Sequence, residues 1–571
     1  MSKHPLSPSK RFLVAVLATC VLVACGGGAQ TTTTGDPSSG SGTGGSGSGG
    51  TGGTGGGSGG GGSGTTTPTS PTDVVTFKND VGRTGQNLTE SVLTPTNVNS
   101  TTFGLLRNLS VDGKVDAQPL YLSQLTAGTP PAVHNVVFVA TEGDSVYAFD
   151  ADTGGKPIWQ VNLLGSGETL SDPHGCGQVT PNIGITSTPV IDRAAGALYV
   201  VAMSKDQSSA YHQRLHALSL ATGVELFNGP VEITATYPAI AGGAASTFQP
   251  GQYEERAALL LSKGVVYTSW TSHCDIAPYG GWIIAYDQST LAQTAVLNIA
   301  PNSGAGPAIW MAGDGPGADS AGNIYLLAAN GAFETTLDTN GFPNKRDFGN
   351  SFLKLSPSPA LAVTDYFAMS NEVTESNADQ DLGSGGEMLL PDLTDANNTV
   401  RHLVVGSGKD GTIYVVDRDS MGKFNANSNN IWQQLTGALP GGVFSSPAYF
   451  NGAVYYANIG GSLKAFPITN ARLGNASAAQ STSSFPRPGA SPAVSANGTS
   501  NGIIWAHENS NPAVLHAYDA TNLAHELYNS NQAANNRDHF GAGNKFITPT
   551  IADGKVFVRT QNSVAVFGLL H

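Results

Sequence analysis

VVFVATEGDSVYAFDADTGGKPIW, residues 136–159, decides the fold. Apolar residues alternate with small or polar ones on both sides of Gly143-Asp144, and a period of two belongs to β-strands. Gly-Asp supplies the positive φ that a two-residue hairpin turn demands. Asp150 and Thr153-Gly154 then make a second turn that leads to an outer strand at Trp159. A sheet this small needs neighbours to cover its faces.

The neighbours are copies of the same unit. HLVVGSGKDGTIYVVD from His402 turns at Asp410-Gly411, and AVYYANIGGSLKAF from Ala453 turns at Gly460-Gly461. Less regular hairpins lie at Val266-Tyr267, Ile324-Tyr325, Ile503–Trp505 and Val556–Val558. Prolines mark where units begin, at Gln118-Pro119, Thr188-Pro189, Leu390-Pro391, Ser446-Pro447, Ser491-Pro492 and Thr548-Pro549. Proline cannot donate to a ladder and is tolerated at a strand start or on an edge strand, which the innermost strand of a propeller blade is. Units starting near residues 117, 186, 256, 307, 387, 445, 490 and 547 predict an all-β, eight-bladed propeller of four-stranded antiparallel blades over residues 76–571. The rival architecture is two β-sandwiches. The last unit, TPTIADGKVFVRTQNSVAVFGLL, has three strands only, while Phe103–Leu109 near the start is a strand without a unit. Pairing them closes the ring and removes the free edges.

The N-terminus follows different rules. Lys3, Lys10 and Arg11 precede the apolar run Phe12–Ala24, too short for a spanning helix and shaped as an export signal. The run ends in Leu22-Val23-Ala24-Cys25, which resembles the bacterial lipobox, so residues 1–24 read as a lipoprotein signal peptide and Cys25 as the lipidated (palmitate-bearing) mature terminus. An ordinary signal peptide cleaved nearby is the alternative. Gly26 in place of Asp resembles Gram-negative lipoproteins bound for the outer membrane, facing the periplasm or the cell surface. Residues 25–75 then form a linker, nearly all Gly, Ser and Thr, that cannot bury enough apolar area to order itself. Its 47-residue tract 26–72 gives a root-mean-square reach of roughly 35–40 Å.

Removal of residues 1–24, with three cations and no acid, takes the formal charge from −14 to −17. That excludes nucleic acid as a main partner, since such surfaces need basic patches. Of the four cysteines, Cys20 leaves with the signal and Cys25 takes lipid, so Cys176 and Cys274 read as one disulfide in an exported chain, the alternatives being two buried thiols or a metal pair. No C-x-x-C-H haem site occurs, and no metal-ligand set is recognised.

AFDADTGGKPIW, Ala148–Trp159, resembles the tryptophan-docking repeat of the pyrroloquinoline-quinone (PQQ) dehydrogenases, A-x-D-x-x-T-G-x-x-x-W, with one residue inserted before the Trp. Ala217–Phe227 repeats it with Ser219, Thr222-Gly223 and Phe227, and Ala285-Tyr286-Asp287 and Ala517-Tyr518-Asp519 keep the front half. Along residues 76–571 the repeats, with NDVGRTGQN, GITSTPVID, SHCDIAPYGGW and LGSGGEMLLPD, resemble PQQ-binding-like propeller proteins. A scaffold lipoprotein of outer-membrane assembly is one variant the chain is similar to.

A dehydrogenase of this superfamily holds PQQ on the axis against a Trp, with Ca²⁺ bridging the quinone and an Asp as base. The resemblance therefore offers Trp310, Lys409 and Asp410 as cofactor contacts and Asp381, Asp275 and Arg256 as catalytic candidates. Each also has a bland reading as a turn or packing residue. His273, Asp314 and Arg537-Asp538-His539 are further polar residues in loops. The adjacent cysteine pair that covers PQQ in alcohol-oxidising members is missing. The expected function is a monomeric envelope lipoprotein that binds or scaffolds a protein or glycan; the alternative is a PQQ- and calcium-dependent oxidation of an alcohol or sugar.

Overall fold

A computed structural model describes residues 72–240, 242–302, 304 and 306–570. The export signal, Cys25 and the linker up to residue 71 lie outside the described residues. Alternation produces hairpins wherever it was read. Blade 1 is a meander of Leu120–Ala127, Ala132–Ala140, Ser145–Asp150 and Trp159–Asn162, all antiparallel. Seven further sheets repeat it, with innermost strands Val190–Asp192, Leu260–Ser262, Gly317–Ala318, Glu387–Leu389, Ala448–Phe450, Ala493–Asn497 and Thr550–Ala552. The six-residue helix Glu372–Asn377 is, among the described residues, the one α-helix beside strands, single 3-10 turns and loops.

Five of the six prolines stand where a strand start tolerates them, immediately before the innermost strands of blades 1, 2, 6, 7 and 8. Pro391 differs. The innermost strand of blade 5 is Glu387–Leu389, so Pro391 follows it and ends the ladder for want of an N–H, and Leu390-Pro391 is not a unit start.

Adjacent blades share apolar cores all the way round. One cluster joins Phe138 and Tyr147 of blade 1 to Leu198 and Val200 of blade 2 and to Phe557 and Val566 of blade 8. Others join blades 2 and 3, blades 3 to 5, blades 5 and 6, blades 6 and 7, and blades 7 and 8. A pair of sandwiches would break this chain of contacts twice. The ring is closed by Phe103–Ser110, which pairs antiparallel with Ser563–Leu569 as the outermost strand of blade 8.

Repeat residues join blades as well as build them. Asp150 Oδ1 accepts the N–H groups of Asp152 and Thr153 at 2.9 and 2.8 Å, and Gly154 takes φ 66° at the turn. The Trp159 indole then donates to the carbonyl of Leu220 in blade 2 at 3.0 Å. A Cβ on Gly223 would come within 2.7 Å of that indole, so the Thr-Gly of one repeat makes room for the Trp of the previous one. Trp432 of blade 5 does the same to Ala471 of blade 6 at 2.6 Å, without a readable repeat around it.

The segment 74–87 runs round one end of the axis and meets the blades nearly in order. Val74 pairs with Tyr121, Val75 accepts from Ile191, Val81 from Ala318, Gly82 from Leu389, Thr84 from Tyr449 and Gly85 from Val494. Gln86–Asn87 adds a parallel pairing to blade 7, and Asn87 Nδ2 donates to Ile551 of blade 8 at 2.9 Å. Blade 3 is reached by Arg83, which is fully buried and donates to Leu259, Gly315, Pro316 and Phe77 carbonyls and to Thr76. This strap binds the innermost strands of the blades round the axis, on the far side of the lead-ins that precede them.

Candidate functional site

At the opposite end the lead-ins to the innermost strands converge. Gln178, Arg256, Trp310, Asp381, Phe444, Arg487 and Lys545 come from the lead-ins to blades 2 to 8 in turn, and with Asp275 and Lys409 from hairpin loops they line a cavity of about 320 Å³. That lies in the range of small-ligand sites. Five of the six candidates picked from sequence, Arg256, Asp275, Trp310, Asp381 and Lys409, share it. Asp410 stands apart as a turn residue, accepting from the Tyr414 hydroxyl at 2.8 Å and the Thr412 N–H at 3.2 Å. Sequence reasoning missed Arg487, Lys545, Phe444 and Phe546, whose only signal is position a few residues before a unit start.

The charges lining the cavity are held in different ways. On the blade 5 side, Lys409 Nζ contacts Asp381 at 2.5 Å and Asp379 at 2.7 Å, and Asp381 also accepts from the Asn330 N–H at 2.8 Å. Burial pushes the Asp381 carboxyl up, with Lys409 opposing it. Elsewhere in the lining, the Arg256 guanidinium lies 4.9 Å over Phe546 and 3.4 Å from buried Glu254, while Arg487 lies 4.4 Å over Phe444, the ring that Lys409 also approaches at 6.0 Å. Lys545 Nζ donates to the Gln178 carbonyl at 2.6 Å, and burial, then Arg256, draws its proton affinity down. Burial, and after it the Asp116 carboxylate, pushes the Glu142 carboxyl up, with Lys114 and Arg256 opposing it.

A Cys176–Cys274 disulfide, Cα atoms 5.7 Å apart, joins the lead-in of blade 2 to a loop of blade 3 beside this mouth. Cys274 N donates to Gln178 Oε1 at 3.2 Å and Asp275 receives the Tyr279 hydroxyl at 3.2 Å, so the bridge holds two lining residues in place. Next to it the His174 and His273 rings stack at 4.2 Å. Trp310, Ala312 and Gly313 of one turn line the cavity, and Asp314, which ends that turn, is fully buried; burial lifts its carboxyl to about 6 against Arg83 and Lys78 of the strap. Of the other loop residues, Asp538 belongs to the ring closure and takes the Arg537 guanidinium at 2.7 Å.

Calcium takes six to eight oxygen ligands. Here Asp379 and Asp381 both hold Lys409, and among the described residues no three His, Cys, Asp or Glu side chains converge as a metal site. The donor set therefore does not fit a calcium-bridged quinone, although four cations and Trp310 suit an anionic ring system.

The family described as Outer membrane protein assembly factor BamB matches residues 80–266, about a third of the chain. No curated protein matches it by sequence. Among solved structures it is similar to the quinohemoprotein alcohol dehydrogenase of Comamonas testosteroni, at 16% identity and TM-score 0.56 over 87% of this chain and 80% of that one. A europium-containing methanol dehydrogenase is similar at 12% identity and TM-score 0.54 over 88% and 98%. Likeness at such identity speaks for fold, and function must come from the site. By its repeats, its eight blades and these neighbours, the chain is an eight-bladed β-propeller, similar over residues 80–266 to the family described as Outer membrane protein assembly factor BamB.

Proposed function

We propose that the chain is a cell-envelope binding module whose axial mouth holds an acidic segment of an envelope protein. One observation carries the reading: Arg256, Lys409, Arg487 and Lys545 converge on one cavity of a protein whose net charge is −14. They outnumber the lining carboxylates Asp275, Asp379 and Asp381. Among the described residues Arg487 has no ion pair, only the Phe444 face, so its donors are open to a ligand. Aromatic rings beside guanidinium groups bind peptide carboxylates and their neighbours with little loss of side-chain freedom.

Titration of the protein with a short oligoglutamate peptide, followed by Trp310 fluorescence against a Trp310→Phe control, tests this. Saturable binding should weaken at least tenfold in Arg487→Gln/Lys545→Gln and weaken further with salt. Binding that ignores both changes overturns it, and preference for an acidic polysaccharide over the peptide assigns the mouth to a glycan instead. The outer membrane is the location this reading uses, reached through lipid on Cys25; Cys25→Ala should release the protein from membranes, and unchanged fractionation refutes the anchor.

The PQQ-dependent dehydrogenase is the second reading, favoured by Trp310 beside four cations that an aromatic polycarboxylate would need. Against it stand Asp379 and Asp381, both already holding Lys409, so only stoichiometric uptake of PQQ with Ca²⁺ together with reduction of a dye by an alcohol or aldose would establish it.

A further inference from the structure

The strap end carries a cleft of its own, about 510 Å³, between blades 4 and 5. Arg418 forms its floor and is 7% exposed. Its guanidinium lies 5.6 Å over the Tyr325 ring, its Nη2 reaches the Leu390 carbonyl only at 3.4 Å, and its buried Nε donates to nothing. Lys354 stands over the same ring at 5.9 Å. The carboxylates nearby are engaged: Asp319 accepts from Tyr325, Asn323 and two backbone N–H groups, and Glu387 from Gly317 N at 3.0 Å. Beyond the Leu390 carbonyl and the Tyr325 hydroxyl, this guanidinium meets no carboxylate in an ion pair among the described residues, and the part of it that lines the cleft is one a planar carboxylate can engage through the terminal nitrogens.

The rim limits what can enter. Asp392 and Asp419, with 72% and 64% of their side chains exposed, stand beside His402 at the opening and repel multiply charged groups. Thr84 and Gln86 of the strap and Ser320 of blade 4 add hydroxyl and amide groups to the walls. We propose that this cleft binds a hydroxyl-rich monocarboxylate, an acidic sugar unit, with its carboxylate on Arg418 and Lys354 and its hydroxyls on the strap and the rim. This is independent of the axial mouth.

The probes are D-glucuronate, glucose and a short oligogalacturonate, titrated into the full chain by calorimetry and saturation-transfer NMR. Glucuronate should bind saturably and glucose at least tenfold more weakly, because only the former carries a carboxylate for Arg418 and Lys354. Ser320→Trp, at an exposed rim position, should abolish binding with the melting temperature unchanged, and Arg418→Met should abolish it also. Arg487→Gln, in the distant mouth, should leave it intact. Absence of saturable glucuronate binding, equal binding of glucose, or full binding by Ser320→Trp overturns the proposal. Oligogalacturonate bound with the same Ser320→Trp sensitivity identifies the source as a polysaccharide end, and its failure beside bound glucuronate identifies the free sugar acid.

Discussion

Asp538 Oδ1 accepts the N–H of Leu105 at 3.0 Å across 433 residues of chain. The same carboxylate takes the Tyr528 hydroxyl at 2.9 Å and Arg537, whose Nη2 reaches on to the Phe103 carbonyl at 3.1 Å. Gly104 has no Cβ because one would lie 2.6 Å from that guanidinium. The closing strand is thus clasped by polar bonds as well as paired. Asp538→Ala should cost about 2–4 kcal/mol, since it strands a buried hydroxyl and a guanidinium. Thermal melting measures it, and limited proteolysis should cut first near residue 100.

Blade-to-blade docking makes a graded prediction. Trp159→Phe keeps the ring but loses the bond to Leu220, for about 1 kcal/mol, whereas Trp159→Ala should cost about 3–5 kcal/mol through the cavity it leaves. Gly223→Ala should destabilise by a comparable amount, because its Cβ meets the indole at φ 72°. Denaturant melts at constant slope check all three.

The stacked histidines predict an acid limb. Burial, and after it His174, lowers His273 from 6.5 to about 4. The unfolded chain therefore takes this proton first: the contribution is whole above pH 6.5, is lost as pH falls toward 4, and is flat below. It amounts to roughly 3 kcal/mol. Glu254, 3.7 Å away and lifted to about 7 by burial, runs the opposite way, losing stability as pH rises from 4.5. Asp172 and Lys205 face the pair through His174. His273→Phe keeps the stack and Glu254, so the difference between native and variant melting curves should shrink steadily from pH 7 to pH 4.

Cys176→Ser/Cys274→Ser opens a loop of 98 residues and should cost about 2–5 kcal/mol. It should also raise the dissociation constant of the axial ligand several-fold, because Gln178 and Asp275 lose their tie; calorimetry under reducing and oxidising conditions reads the same effect without mutation.

What could be read from residues alone follows physical range. Hairpins, turn dipeptides and the Trp159 repeat are local, so their spacing exposed both the blades and the closing strand at 103–109. Pro391 misled because proline marks either end of a ladder equally well. Candidates such as Trp310 and Asp381 were visible as polar or aromatic residues in lead-in loops, and the ring brought them together. Arg487 and Lys545 gain meaning only from convergence of blades 7 and 8 on the axis, which no local pattern encodes. The strap was hidden for the same reason: NDVGRTGQN has no alternation, since its bonds go to other blades rather than to a partner strand.

That strap behaves as a drawstring. One thread reaches the inner edges of blades 1, 2, 4, 5, 6, 7 and 8, so no one of those sheets can shift inward or outward without straining its bonds to the others, and Arg83 is the knot.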